Sequence, residues 1–470
     1  MQTSTTPPRS APRDVDPQKL LYSLMVPAII LPLTGWMFTV SLPVIRDDFN
    51  LTADVAAWIA TSFTLAFMVL MPVYGRISDD LGKRRLLLTG ITIFISGTLI
   101  ATTSTNLTIL LIGRIIQGFG VAGLLPLSLA LITEVFPPNE RGKAMGLWST
   151  MGPVTGVVGP ILAGFIVAHW GWRASFLPPA IFATIGLITV YVMIPASSLQ
   201  VRFKFLRTFD WLGAGLFSLL LVSLLFYFSS RPITGVPALQ DWRLLGMALL
   251  FLFLFVWVEK GKSRPFINLH ILKNRPFLTA SLCAGLRMAQ LSGSLAFLLP
   301  LYLADIVGLD PTRSGFLLMV FPAAMTLSVR VGGDFADRRG SQSVVMIGFA
   351  LFAGMMFALS QISQGVSVWL LIALFFVAGL GAGLMLAALH RAALNDIPEP
   401  DIGASSGLYS TIRFLGSACG SVFAGILLQF YLDRSDSAPI VAYQSVFLWF
   451  MGFAVLGFMI ATFLPRGENL

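Results

Sequence analysis

Apolar stretches of roughly 20 residues alternate with short polar segments along the whole chain, at about 20–43, 55–75, 86–104, 107–131, 144–168, 174–195, 211–229, 243–259, 277–303, 314–333, 343–363, 367–389, 404–432 and 443–464. A helix rises 1.5 Å per residue, so about 20 apolar residues cross the roughly 30 Å of hydrocarbon in a bilayer. The pattern therefore predicts an all-α membrane protein with about fourteen transmembrane helices and the lipid bilayer as its solvent.

The polar segments carry a repeat. GRISDDLGKRR, from Gly75 to Arg85, returns as GDFADRRG from Gly333 to Gly340, so that Gly75, Asp79 and Gly82 fall on Gly333, Asp337 and Gly340. Gly142, Gly146, Ser149 and Thr150 likewise fall on Gly403, Gly407, Ser410 and Thr411. Two landmarks at nearly one offset indicate a duplicated bundle. The expected organisation is a disordered polar tail at 1–19, a six-helix bundle at 20–195, a linker with two extra transmembrane helices at 196–276, a second six-helix bundle at 277–464 and a short tail at 465–470.

Composition agrees: 56% of residues are apolar and 11% charged, with mean hydropathy +0.83. A net charge of +9 would suit a nucleic-acid binder, but the cations gather in alternate loops: Lys83, Arg84 and Arg85; Arg202, Lys204 and Arg207; Lys260, Lys262, Arg264, Lys273 and Arg275. That asymmetry is the positive-inside pattern. It reports topology, with both termini in the cytoplasm, and no nucleic-acid partner is expected. The first apolar run is too long for a cleavable signal peptide and lacks a small-residue cleavage site.

Matches to soluble-enzyme motifs fail on context. Gly118, Gly120 and Gly123 fit a dinucleotide fingerprint with no strand before it; Gly403, Ser405 and Gly407 fit a nucleophile elbow inside an apolar helix; Val256 stands where a phosphate-binding loop needs glycine. Cys283 and Cys419 lie far apart in apolar runs and read as packing residues. No enzyme activity, cofactor or metal is expected.

Charges inside spans are costly unless they face water or a partner. Arg114, Arg287 and Arg413 lie deep in their spans, whereas no acidic residue occupies the central third of any span. Glu134, Asp305, Asp79 and Asp334 sit near span ends. Arg114 and Arg287 are expected at a cavity; for Arg413 a cavity role and helix-to-helix hydrogen bonding stand level. Arg330, nearer a span end, reads as a snorkelling side chain. Gly152, Gly156, Pro160 and Gly164 recur every four residues on one helix face, with Gly159 and Pro160 permitting a kink. Trp36, Phe38, Phe297 and Tyr302, with Met288 and Gln290, could line an adaptable apolar pocket.

On these residues the chain resembles a major facilitator superfamily transporter. The loop motif at Gly75 to Arg85, LIGRIIQG from Leu111 to Gly118 and the small-residue run from Gly152 to Gly164 are family motifs. FDWLGAG from Phe209 to Gly215 and GASSGLYSTIRFLG from Gly403 to Gly416 are similar to segments of the fourteen-helix drug:proton antiporters.

The resemblance implies alternating access by rocking of two bundles about a central site. It implies a cytoplasmic latch at Gly75, Asp79, Gly82 and Arg84, repeated at Asp337 and Arg338, and a gating surface at Gly156, Gly159, Pro160 and Gly164. Substrate or proton coupling would involve Arg114 and Gln117, with Thr34, Trp36, Arg287, Gln290, Arg413 and Glu134 as further candidates. The family's first-helix aspartate is absent, because Thr34 stands at its place and Thr39 replaces the neighbouring asparagine.

Deep cations without deep acids point to a proton-coupled exporter of amphipathic small molecules that are neutral or anionic, in the inner membrane. A rival reading keeps export of cationic drugs, with Glu134 or Asp305 reaching the cavity. Another is a facilitator or importer of an organic anion, and another class altogether is a non-transporting receptor or scaffold. A periplasmic adaptor is a compatible further partner.

Overall fold

The computed structural model describes residues 16–194, 210–228, 235–236, 239–262, 266, 269–363, 365–395, 397, 402–434 and 438–466, without the side chains of 75, 76, 79, 80, 138, 139 and 402–404. Among the described residues fourteen helices are long and apolar enough to cross a membrane. They are α1 Pro17–Asp48, α2 Ala53–Leu81, α3 Lys83–Thr102, α4 Leu107–Val135, α5 Glu140–Trp170, α6 Trp172–Met193, α7 Trp211–Phe228, α8 Trp242–Lys260, α9 Arg275–Asp305, α10 Pro311–Arg339, α11 Ser341–Ser360, α12 Val368–Leu394, α13 Ile402–Arg434 and α14 Pro439–Ala461. The predicted number is met. Several helices outrun the apolar pattern because polar residues cap them: the side chains of Asp16, Asn274 and Asp310 accept from the backbone N–H groups of Gln18, Phe277 and Arg313.

The long helices are interrupted rather than straight. α1 breaks at Ile29, between Pro27 and Pro32, and α9 carries a π-helical stretch from Gln290 to Leu298. Such stretches re-aim side chains and recur at functional sites. This one turns Leu291, Ser292 and Leu295 toward the space between the bundles.

The duplication is visible in the backbone. Gly82 (φ +85°) separates α2 from α3, and Gly340 (φ +80°) separates α10 from α11. Both stand in the left-handed region, where a Cβ is penalised, so the repeated glycine marks a repeated turn.

An even number of crossings leaves both ends of the chain on one side, termed the terminal face. Helices α1–α6 and α9–α14 form the two bundles; α7 and α8 pack on each other, and α7 packs against α2 and α13 at the junction. Trp58 meets Phe226 with ring centroids 5.0 Å apart, and Phe228 meets Phe423 at 5.2 Å. At the terminal end of this pair Asp210 accepts from the Gly213 amide at 2.7 Å and pairs with Lys262. Burial alone pushes the Asp210 carboxyl up, but the Lys262 ammonium and the Gly213 amide hold it below the usual carboxylate range.

Candidate functional site

A cavity of about 700 Å³ lies between the bundles. Its walls are mostly apolar, with Pro32 and Trp36 from α1, Pro153 and Gly156 from α5, Met288 and Leu295 from α9, and Phe321 and Met325 from α10. Thr39, Ser149, Thr150, Ser292, Thr326 and Ser417 supply hydroxyls. Among its lining residues no side chain is acidic, and Arg330 is the one that carries a charge. Gly146, Ser149, Thr150, Thr326 and Arg330 are exposed, and all five lie on the parts of α5 and α10 nearer the terminal face, so the cavity opens there.

On the opposite side the bundles close. A Cβ on Gly164 would stand 2.4 Å from the Pro311 carbonyl oxygen, and one on Gly315 would stand 2.2 Å from that of Pro160. The α5 and α10 backbones therefore touch directly, as only small residues allow. On the far side of the junction the Ala53 amide of α2 donates to Gln429 of α13 at 2.9 Å. Arg46 at the end of α1 grips both carboxylate oxygens of Asp305 at the end of α9, each at 2.6 Å, and the Tyr443 hydroxyl donates to the same carboxylate at 2.5 Å.

The four-residue stripe of α5 thus divides into two working parts. Gly152 and Gly156 belong to the cavity wall, and Pro160 and Gly164 belong to the seal. Gly159 lies against Trp36, whose Cβ would be 2.9 Å from a Cβ there.

The three deep arginines do not line the cavity in this conformation. Arg114 on α4 is buried, with Nε donating to the Ile59 carbonyl at 3.1 Å and Nη1 to Gln117 Oε1 at 3.1 Å. Its guanidinium lies between the rings of Phe38 and Phe63, 4.7 and 4.5 Å from their centroids. Gln117 in turn donates to Thr98 at 2.9 Å. Arg114 and Gln117 together therefore tie α1, α2, α3 and α4, Arg114 through cation–π and charge-assisted contacts and Gln117 through its bond to Thr98.

Arg287 on α9 donates twice to the Ala382 carbonyl of α12, at 3.1 and 2.9 Å. Arg413 lies over the Phe414 and Tyr409 rings of its own helix, and its buried Nε has no hydrogen-bond partner among the described residues, so the helix-to-helix hydrogen bond of one reading is not formed there. Their common logic is that a helix can offer a buried guanidinium carbonyls and rings in place of water.

Other expected lining residues also turn elsewhere. Thr34 donates to its own helix at Ile30, and Gln290 donates to the Phe450 carbonyl at 2.7 Å. Phe38 packs on Arg114, Phe297 is buried, and Tyr302 stacks on Tyr443 and Phe447. Trp36 and Met288 do face the cavity.

At the terminal face Glu134 pairs with Lys83 at 2.5 Å and its side chain is 49% exposed, so it does not reach the cavity as one rival reading requires. Arg84 donates to the Tyr191 carbonyl of α6 at 2.7 Å. Asp337 pairs with Arg391 of α12, inside one bundle, and Arg338 is exposed. Gly75 and Asp79 lie within α2, and the side chain of Asp79 is outside the described residues. An exposed ion pair contributes at most about 1 kcal/mol. Glu134→Gln should therefore leave the transport rate within about fivefold of wild type in proteoliposomes; a loss beyond tenfold would restore Glu134 to the transport machinery.

The family profile described as Major Facilitator Superfamily matches residues 24–363 and 277–469. The chain belongs to the major facilitator superfamily. As a member it is a transporter, and curated relatives agree. It is 27% identical to the riboflavin transporter RibZ of Clostridioides difficile, over 86% of each chain. It is also 27% identical to multidrug resistance protein 3 of Bacillus subtilis, over 83% of this chain and 76% of that one. Solved structures share its fold: a peptide transporter in complex with sulfate (TM-score 0.68, 14% identity, 95% and 96% covered) and a human organic anion transporter (0.60, 16%, 95% and 99%).

Two features of this superfamily member escaped the sequence. Arg330 is the charge at the cavity, and Arg46 with Asp305 forms a clamp between the bundles. The only sequence signal for the clamp was opposite charges at two span ends on one side of the bilayer.

Proposed function

We propose that the protein is a proton-coupled exporter of amphipathic small molecules, uncharged or anionic, working by alternating access in the inner membrane with its terminal face in the cytoplasm. The observation that carries the reading is the cavity: about 700 Å³, walled by Trp36, Met288, Met325 and prolines, without a carboxylate among its lining residues and with Arg330 at the mouth. A lipophilic cation gains from an apolar wall but finds no opposite charge there, whereas an anion gains from both. The basic loops at the terminal face support the orientation, and the relative named as a multidrug resistance protein supports polyspecific export.

The relative named as a riboflavin transporter favours a narrower second reading, in which a flat, uncharged aromatic ring lies on Trp36.

Proteoliposomes under an imposed proton gradient separate these readings, with anionic sulforhodamine B, uncharged riboflavin and cationic ethidium as probes. Accumulation of sulforhodamine B, with or without riboflavin, is expected. Movement of riboflavin alone selects the second reading, and movement of ethidium alone overturns both. In water, one charge pair at 4 Å is worth about 1 kcal/mol, a factor of about five. Arg330→Gln should therefore cut sulforhodamine B uptake about fivefold and leave riboflavin unchanged.

A further inference from the structure

Proton coupling needs a group that gains and loses a proton near neutral pH, and among the described residues no carboxylate lines the cavity. We propose that the imidazole of His390 is the proton-binding site of the transport cycle; this rests on the proton-coupled reading above. The chain has three histidines: His169 stands exposed in the last turn of α5, His270 precedes α9, and His390 lies within a bundle on α12. Unperturbed imidazole is the one side chain whose charge changes between pH 5 and 8.

The geometry fixes which nitrogen works. His390 Nδ1 stands 3.0 Å from the Leu386 carbonyl oxygen, and a carbonyl only accepts, so Nδ1 carries the hydrogen and Nε2 is the basic nitrogen. The ring is half-buried and meets Tyr409 edge-on, with centroids 4.9 Å apart. Leu386, one turn away on the same helix, belongs to the cavity wall, as does Ser417, one turn from Arg413. The imidazole therefore lies one helical turn from the cavity, on its terminal side.

Its electrostatic neighbours come from every helix packed on α12 that carries charge. α13 supplies Arg413 and Tyr409, and α9 supplies Arg287. α10 carries Arg330 and Asp334 along its length and Asp337, which engages Arg391 beside His390. α11 carries no charged side chain. A proton on Nε2 sets a third positive charge beside Arg413 and Arg287. That repulsion is relieved by releasing the proton to the terminal face or by separating α12 from α13. Arg413 adjoins Phe414, whose ring packs on Phe67 of the other bundle with centroids 4.8 Å apart, so movement of α13 bears directly on the contact between bundles. The deep cations that leave the cavity wall thereby acquire a task, which is to make the charge state of His390 matter.

The test compares wild type with His390→Gln in proteoliposomes loaded with sulforhodamine B, measuring exchange without a proton gradient and accumulation with one. The variant should keep exchange within about threefold of wild type and lose at least tenfold of gradient-driven accumulation. Undiminished accumulation by the variant overturns the proposal, and so does equal loss of exchange and accumulation, which marks His390 as structural. If wild type exchanges the probe but ignores the gradient, the proton-coupled reading itself falls, and this proposal with it.

Discussion

Gly315→Ala is expected to lower transport at least tenfold and to expose the cavity from the face opposite the termini. The added methyl would stand 2.2 Å from the Pro160 carbonyl oxygen and 3.0 Å from its carbon, against backbone that cannot swing aside as a flexible side chain would. Overpacking of this kind costs about 1–3 kcal/mol. On the alternating-access reading the cost falls on one conformation alone, the one in which the α5–α10 contact shuts the opposite face. Conformations of a transporter differ by a few kcal/mol, so a penalty of 2 kcal/mol moves their ratio roughly thirtyfold. A single cysteine replacing Leu291, on the cavity wall, reports the shift through its rate of labelling by an impermeant maleimide added to the opposite side. Gly164→Ala, whose methyl would stand 2.4 Å from the Pro311 oxygen, should act in the same direction. Gly152→Ala is the control on the same stripe: nothing lies within 4 Å of its added methyl, and labelling should not change.

The stripe of Gly152, Gly156 and Gly164 on α5 illustrates what the sequence could and could not tell. Spacing of four residues placed them on one helix face, and that is observed. It could not say that the face changes partner half-way, because the partner arrives from residues some 150 positions later in the chain. The helices themselves were legible for a simple reason: hydrocarbon imposes length and apolarity on each span independently of its neighbours. The duplicated turn was legible too, since a left-handed glycine is a local requirement, met at both Gly82 and Gly340.

The arginines were less transparent. Depth along a helix can be counted, but its rotation about its own axis is set by packing. Arg114 and Arg287 thus lie deep while pointing at carbonyls and rings rather than into the cavity. Arg330 shows the converse. Its place near a span end suggested snorkelling, yet that end of α10 forms the cavity mouth, and the side chain reaches water by lying in it. Glu134 could not be placed by span position alone; Lys83, on the next helix in space, holds it at the surface.

Asp305→Asn should loosen the opposite face by a different route and in a salt-dependent way. Arg46 holds Asp305 through two bonds of 2.6 Å, with 15% of one side chain and 24% of the other exposed, a setting between surface and interior. Exposed pairs contribute up to about 1 kcal/mol, and breaking a buried pair costs about 3–5 kcal/mol. About 2 kcal/mol is the reasonable middle, equivalent to roughly a thirtyfold change in the ratio of conformations. Arg46 keeps Asp47 at 2.8 Å, so removing Asp305 does not strand its charge. Removing Arg46 leaves the Asp305 carboxylate with the Tyr443 hydroxyl, a neutral donor. Arg46→Gln should therefore be the more damaging of the two single changes in the labelling assay. The exchanged pair, Arg46→Asp with Asp305→Arg, separates charge attraction from shape. If attraction across the bundles closes this face, the exchange recovers a substantial part of the closure lost in either single variant, and raising the salt concentration erodes it. Single variants that label no faster than wild type would show that backbone contact along α5 and α10 closes the face unaided.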